Sequence, residues 1–298
     1  MGSHFTLGLI HNQETEAYRL LNMGLEEINR IEQLLSEFIT ESDTFKINSN
    51  SENAKIEISR ECYDLIVRSG QITELSGGCF DITVGPLKQL YSFKKEFFEM
   101  PDKVKIETAR SKTGFSGIIL DDKDKTIRFN KPGMRISFAA IGKGYASDMV
   151  KKIWLKEGVT SGYINASGDL NAFGVNEKGE LWNIGISDPE NKSRILLNIP
   201  LTNASVATSG DYEQHFIYNG VKYSHNIDPR TGIPVMGIKS VTVFSPAAEL
   251  SDALATAVYV KGVVEGIDFI NQLPQTHAII IDEKNKIHLS KDLEYEQR

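Results

Sequence analysis

The chain carries 298 residues, 40% of them hydrophobic and 24% charged, and its 33 Lys and Arg against 40 Asp and Glu leave a formal charge of −7. That balance excludes a nucleic-acid binder built on a basic stripe, and 14 Phe, 10 Tyr and 2 Trp exclude an intrinsically disordered chain. At about 100–200 residues per domain the length fits one large domain or two intimate subdomains; with no Pro- or Gly/Ser-rich linker and no 20–50-residue repeat, a single unit over 1–298 is expected.

In chain order, Phe5-Thr-Leu-Gly-Leu-Ile10 reads as a strand. Residues 13–38 read as one long amphipathic helix, because Leu20, Leu21, Leu25, Ile28, Ile31, Leu34 and Leu35 recur at helical spacing. A second helix is expected over Glu61–Leu75, stopped by Gly77-Gly78. Ile118–Leu120 and Thr126–Phe129 read as strands around an acidic turn, Arg135–Ala140 as another strand, and Tyr145–Lys156 as a helix. From Gly162 to Phe244 short β-rich runs alternate with turns, including an Asn219-Gly220 hairpin signal and the Asp228-Pro-Arg-Thr-Gly232 turn. Helices over Ser251–Lys261 and Val263–Gln272 and strands near Ala278–Ile281 and Lys286–Leu289 close the chain. Helices and strands without strict βαβ alternation predict an α+β fold with a mixed or antiparallel β core flanked by helices.

Cys62 and Cys79 are too few for a disulfide scaffold or a thiolate zinc cluster; they read as two small buried apolar residues, with a single bridge as the alternative. No apolar run reaches the roughly 18 residues of a membrane span, and Met1-Gly-Ser-His lacks the basic and apolar regions of a signal peptide. A His-Glu-x-x-His zinc site, a Gly-x-Ser-x-Gly elbow, a Walker A loop and a dinucleotide fingerprint are all missing.

Four kinds of segment remain. Ala139-Ala-Ile-Gly-Lys-Gly-Tyr-Ala146 reads as a strand, a Gly-rich turn and a helix start; it is either a phosphate cradle with Lys143 as its charge or a tight connection with a solvated lysine. Asp252 and Thr256 share a helix face one turn apart, with Ser251 as the expected N-cap. A carboxylate with a hydroxyl suits a hard cation such as Mg²⁺; the bland alternative is a dipole-favoured Asp beside a packed Thr. His225 precedes Asp228 and Arg230 at a turn, where the histidine can act as a base and Arg230 can hold phosphate or orient Asp228, or both can satisfy backbone carbonyls. Finally, three polar loops around Asp81, around Ser167-Gly168-Asp169, and over Ala207–Tyr212 are together suited to lining a site for a large polar ligand.

Taken in order, these segments resemble the ApbE family, the FAD:protein FMN transferases. The resemblance rests on Met1-Gly2-Ser3-x-Phe5, Ser36-x-Phe38 with Ser42 through Asn48, Gly78-x-Phe80-Asp81-x-Thr83-Val84-Gly85-Pro86-Leu87 and Ala140–Ala146. It continues through Ser167-Gly168-Asp169, Thr208-Ser209-Gly210-x-Tyr212, Ser224-His225 with Asp228–Gly232, and Asp252-Ala-Leu-Ala-Thr256. It spans nearly the whole chain, and it implies an ApbE-like (T-fold-like) architecture with an FAD cleft.

The implied activity is Mg²⁺-dependent transfer of FMN from FAD onto a Thr or Ser hydroxyl of an acceptor protein as a phosphoester, with release of AMP. Implied metal ligands are Asp252, Thr256 and the Ala140 carbonyl. His225 is the implied base, and Lys143 and Arg230 lie near phosphate. Asn48, Asp81, Gly85, Ser167, Gly168, Asp169, Ser209 and Tyr212 line the FAD cleft. Implied acceptors include flavin-carrying subunits of membrane redox pumps. The implied setting is extracytoplasmic, a lipoprotein on the periplasmic side of the bacterial inner membrane. The same residues leave two other readings open, an FAD pyrophosphatase yielding FMN and AMP and a non-enzymatic flavin-binding lipoprotein.

Overall fold

The computed structural model describes residues 3–50, 54–91, 99–211 and 215–297. In chain order, β1 (Phe5–Leu9) leads into α1 (Glu14–Leu35) and α2 (Asp43–Ser49), and β2 (Ile56–Glu57) precedes α3 (Arg60–Leu75), α4 (Gly85–Leu90) and α5 (Lys103–Arg110). Then come β3 (Ile118–Asp121), β4 (Thr126–Phe129), α6 (Gly142–Lys156), β5 (Gly162–Ala166) and β6 (Asp169–Phe173). They are followed by β7 (Trp182–Asp188), β8 (Asn191–Leu201), β9 (Ala204–Gly210), β10 (His215–Tyr218), β11 (Val221–Ser224) and β12 (Ile238–Ser245). The chain ends with α7 (Ala248–Lys261), α8 (Val263–Ile270), β13 (His277–Asp282), β14 (Ile287–Leu289) and β15 (Glu296–Gln297). Mixed helices and antiparallel sheets bear out the α+β expectation.

Seven strands form the main sheet in the order β1-β5-β6-β9-β12-β13-β14, with every neighbouring pair antiparallel. Strand alternation sends successive side chains to opposite faces. Val241, Val243, Ala278 and Ile280 meet Leu254, Val258 and Ile270 from α7 and α8. Ala172, Val206, Phe244 and Ile279 meet Ile186, Leu197 and Ile199 from a three-stranded sheet, β15-β8-β7. On the helical face, α6 packs on β5 and β6 and against α1 and α7. Its fully buried Trp154 donates Nε1–H to the Leu20 carbonyl of α1 at 2.8 Å.

A second core surrounds α3 and the β2-β4-β3 sheet, with Leu65, Ile66, Phe80, Ile136 and Phe138 at its centre. Ala253 and Ala257 of α7 belong to this core, whereas Leu254 and Val258 belong to the sheet's. α7 is thus wrapped on both sides, and a helix buried all round is apolar all round. Any polar side chain on it must therefore have a partner or a cavity. Among the described residues no helix is long and apolar enough to cross a membrane. Both cysteines are unbridged and buried, as expected.

Four departures from the sequence reading bear on the site. Residues 135–140 form no strand: Asn48 Nδ2 donates to Ile136 O and Ile136 N to Asn48 Oδ1, each at 2.8 Å, Ser137 N donates to Ile82 O at 2.7 Å, and Ala139 and Ala140 lie in a turn. The helix expected from Tyr145 starts at Gly142, so Lys143 lies in its first turn. Ser251 is not an N-cap; α7 begins at Ala248, and the Ser251 hydroxyl is spent on Ser205 O and Ser245 Oγ. Ala207–Gly210, expected as a turn, lies inside β9 in the middle of the main sheet.

Candidate active site

The first turn of α7 lacks a cap of its own. Asp148 of α6 supplies one: its Oδ1 accepts from Ala248 N at 3.0 Å and its Oδ2 from Glu249 N at 2.9 Å. Burial pushes the Asp148 carboxyl up, and those two N–H groups work against the rise. Asp148 also accepts from Asn171 Nδ2 of β6 at 2.8 Å, tying α6, α7 and the sheet together. Asp148→Ala strands two helix-terminal donors away from water. It should cost about 1–3 kcal/mol, read as a fall in chemical-denaturation midpoint at unchanged slope.

Four residues before Asp148, on the same face of α6, stands Gly144. A β-carbon there would overlap the Ala248 carbonyl and come within 2.7 Å of Glu249 N. The missing side chain lets the Gly144 N–H reach Asp252 Oδ2 at 3.1 Å. Lys143 lies beside it, its Nζ 3.1 Å from Asp252 Oδ1 and 3.3 Å from Asp169 Oδ2. Of the two sequence readings of this Gly-rich segment, neither survives unchanged. The anion met by its backbone is a carboxylate of the protein, and Lys143 is enclosed between two acids rather than solvated.

Burial pushes the Asp169 carboxyl up to about 7, with the Lys143 ammonium opposing the rise and the Asp252 charge reinforcing it. Burial works against the Lys143 charge, but Asp252 and Asp169 outweigh it and raise its pKa above the ordinary lysine value. Asp169 Oδ1 also accepts from Thr208 N at 2.9 Å, which fixes the β5–β6 turn against β9. At the tip of that turn Ser167 and Gly168 both adopt left-handed backbone, at φ 55° and 107°. The two-residue connection between antiparallel strands needs this geometry.

These groups face a cleft of about 990 Å³, at the upper end of the range for small-molecule sites. The cleft is lined by Ala140, Lys143, Asp169, Asp252 and Thr256, by Asp81, Ser167 and Ser209, and by His225. Nine of the sequence-derived candidates thus converge on one cavity from α6, α7, β9, β11's end and two turns. Ser209 Oγ lies 3.5 Å from Thr256 Oγ1, pairing β9 with α7 on the cleft floor.

Other candidates have different places. Asn48 is buried, its amide used by Ile136, and it does not line the cleft. Gly85 is packed where a β-carbon would stand 2.9 Å from Arg135 Cβ and 3.2 Å from its carbonyl. Gly168 sits at the outer tip of its turn, with nothing within 4 Å of a β-carbon. Arg230 folds back onto its own turn, with Nε and Nη2 each 3.0 Å from the Asp228 carboxylate, which holds the guanidinium pKa above its ordinary value. Pro229, not Arg230, reaches the cleft lining. Tyr212 lies outside the described residues.

Asp81 lines the cleft yet is heavily used: it accepts from Thr83 N at 2.8 Å, Thr83 Oγ1 at 2.6 Å and Phe115 N at 2.9 Å. Burial raises its pKa, and these donors oppose the rise. His225 follows β11 directly. The backbone on either side is pinned, with Ser224 N donating to Val235 O at 3.0 Å and Val235 N to Asn226 O at 2.8 Å. Ser167 holds the N-terminal strand in place, its Oγ accepting from His4 N at 2.9 Å.

Sequence reasoning missed Lys88, which lines the cleft from α4, and Asp148, which sets α7. Asp148 had a signal, an acid four residues after a glycine on one helix face; Lys88 had none. A cation here would meet oxygen donors: the Asp252 carboxylate, the Thr256 hydroxyl and the Ala140 segment all line the cleft. Among the described residues no three His, Cys, Asp or Glu side chains gather in a metal-holding cluster. Such a sparse oxygen set suits a hard cation that keeps part of its water shell.

The sequence profile of the ApbE family matches residues 1–281. A Klebsiella pneumoniae (strain 342) protein named FAD:protein FMN transferase is 29% identical over 292 residues, covering 97% of this chain and 89% of that protein. An Escherichia coli K12 protein of the same name is 28% identical over 242 residues, covering 79% and 69%. Among solved structures, the ApbE protein of Thermotoga maritima superposes with a TM-score of 0.87 at 31% identity, covering 97% of both chains. The flavin transferase ApbE of Vibrio cholerae reaches the same TM-score at 24% identity, a likeness of fold.

Proposed function

Because the chain belongs to the ApbE family, we propose that it is an FAD:protein FMN transferase, with residues 1–298 acting as one catalytic unit. It takes FAD as donor, moves FMN onto a Thr or Ser hydroxyl of an acceptor protein as a phosphoester, and releases AMP. The observation that carries this reading is the convergence of Asp252, Thr256, Lys143 and His225 on one cleft of about 990 Å³, large enough for a dinucleotide. The relatives' shared name supplies the substrate class.

Magnesium bound by Asp252, Thr256 and the Ala140 carbonyl would supply positive charge to the phosphoryl oxygens. The chain's own groups position the reactants and accept a proton. His225 takes the proton of the acceptor hydroxyl as its oxygen attacks the phosphorus, and the bond to the AMP oxygen breaks. Lys143 holds Asp169 and Asp252 together despite their like charge, keeping the carboxylate of α7 aimed into the cleft. Asp81, Ser167 and Ser209 offer polar contacts along the donor, and Arg230 steadies the turn after His225 through Asp228. Asn48 and Gly85 would support the cleft wall from behind; Gly168 and Tyr212 complete the donor-side assignment. The proposal extends to setting: a lipid-anchored enzyme on the periplasmic face of a bacterial inner membrane, acting on flavin-carrying subunits of redox pumps.

The test incubates the protein with FAD, Mg²⁺ and an acceptor domain, with and without EDTA, and weighs the acceptor by mass spectrometry. A gain of one FMN per acceptor, abolished by EDTA, is expected. Free FMN and AMP at full rate without acceptor would replace transfer with pyrophosphate hydrolysis. FAD binding without any turnover would leave only a flavin-binding protein.

A further inference from the structure

Two cationic side chains line the cleft, Lys143 and Lys88, and they are in opposite states. Lys143 is committed, its ammonium within 3.3 Å of two carboxylates. Arg230, the arginine among the sequence-derived candidates, is likewise committed to Asp228. Lys88 projects from the six-residue helix α4 and, among the described residues, makes neither a hydrogen bond nor an ion pair. Glu37, the acid that acts on it most strongly, is itself engaged by the Ser137 hydroxyl. Burial pushes the Lys88 pKa down, Glu37 opposes the fall only in part, Lys143 across the cleft adds to it, and Asp252 opposes it weakly.

A half-buried ammonium with no carboxylate at ion-pair distance keeps its charge at a cost, which a ligand bringing negative charge removes. Lys143 is thus met by two carboxylates at ion-pair distance, whereas Lys88, among the described residues, has none so close, although Glu32, Glu37 and Asp81 also line the cleft.

We propose that Lys88 is a substrate-binding residue whose ammonium takes a non-bridging phosphate oxygen of the donor's diphosphate, while Lys143 stays on Asp169 and Asp252. This assignment rests on the transferase reading above for the identity of the donor. Its chemistry asks only for a ligand with a diphosphate. Among the described residues, Lys88 carries no hydrogen bond or ion pair that its removal would break. Its loss should thus weaken phosphate-bearing ligands selectively, leave flavin-ring contacts intact and leave the fold unchanged.

The experiment titrates the full chain, as wild type, Lys88→Met and Lys88→Arg, with FAD, ADP and riboflavin, following flavin fluorescence and, for ADP, heat of binding. Lys88→Met should raise the Kd for FAD and ADP about 10- to 100-fold, the effect of one charge-assisted hydrogen bond. It should leave riboflavin within about twofold, and Lys88→Arg should recover most of the loss. Equal FAD affinity in wild type and Lys88→Met overturns the proposal, as does an equal loss for riboflavin. The two readings fail separately. A wild type that binds ADP but not FAD sinks the flavin donor while Lys88 is still judged on ADP, and a wild type that binds neither sinks both.

Discussion

Asp252→Asn should yield a protein that folds normally and transfers FMN at least about 10³-fold more slowly, the scale of losing a charge that stabilises a phosphoryl transition state. The substitution keeps size and shape, and the carbonyl oxygen of the introduced amide still accepts the Gly144 N–H that now reaches Asp252 Oδ2 at 3.1 Å. Lys143 keeps Asp169 at 3.3 Å but then faces the amide NH2 where it now meets Asp252 Oδ1 at 3.1 Å. What disappears is one negative charge on α7, and with it the only carboxylate in the expected cation set. Removing it also relieves Asp169, whose carboxyl the Asp252 charge helps to keep raised. A stability loss of no more than about 1–3 kcal/mol is therefore expected. Single-turnover flavin transfer to an acceptor domain, paired with a thermal melt, checks both halves. A variant that melts normally and transfers at the wild-type rate would remove Asp252 from the chemistry.

Elements whose own apolar period decides their packing could be read from the sequence. In α1 the buried Leu20, Ile28, Ile31 and Leu35 are among the residues that predicted the helix. Its Ser36 C-cap shortens the expected span only at the end. α3 was legible for the same reason, whereas α6 and α7 were read as helices whose first turns the sequence did not mark. β9 was not, because its Ala207-Thr-Ser-Gly210 run is chosen by closeness to α7 and by the cleft, and small polar residues spell a turn when read locally. Residues 135–140 failed in the opposite sense: the composition is that of a strand, but an asparagine 88 residues away holds the backbone in place of a neighbouring strand. Propensity cannot report a partner of that kind. The site divides similarly. Asp252, Thr256 and His225 were visible as chemistry at a recognisable spacing. The Lys143–Asp169 pair joins residues from different elements, and the commitment of Asn48 to the backbone of a distant segment is set by the tertiary fold.

Gly144→Ala carries the largest expected structural effect, and it tests how the fold produces the site. α6 and α7 approach closely enough that a methyl group at 144 would overlap the Ala248 carbonyl and crowd Glu249 N at 2.7 Å. Both obstacles are backbone in the first turn of α7, so no rotamer change relieves them. Either α7 shifts outward or α6 tilts. α7 is held on one side by Ala253 and Ala257 in the α3 core and on the other by Leu254 and Val258 against the sheet. Overpacking in so confined a place costs about 1–3 kcal/mol or more. Any shift that relieves it also lengthens the contacts from Asp148 to Ala248 N and Glu249 N and from Gly144 N to Asp252. The variant should therefore lose stability by about 3 kcal/mol and lose transfer activity together. Restoring the melting temperature with an osmolyte should not restore the rate, because the displaced carboxylate no longer meets Thr256 and Lys143 in the same geometry. A stable, fully active Gly144→Ala protein would mean that the interhelical contact sets neither the fold nor the aim of Asp252.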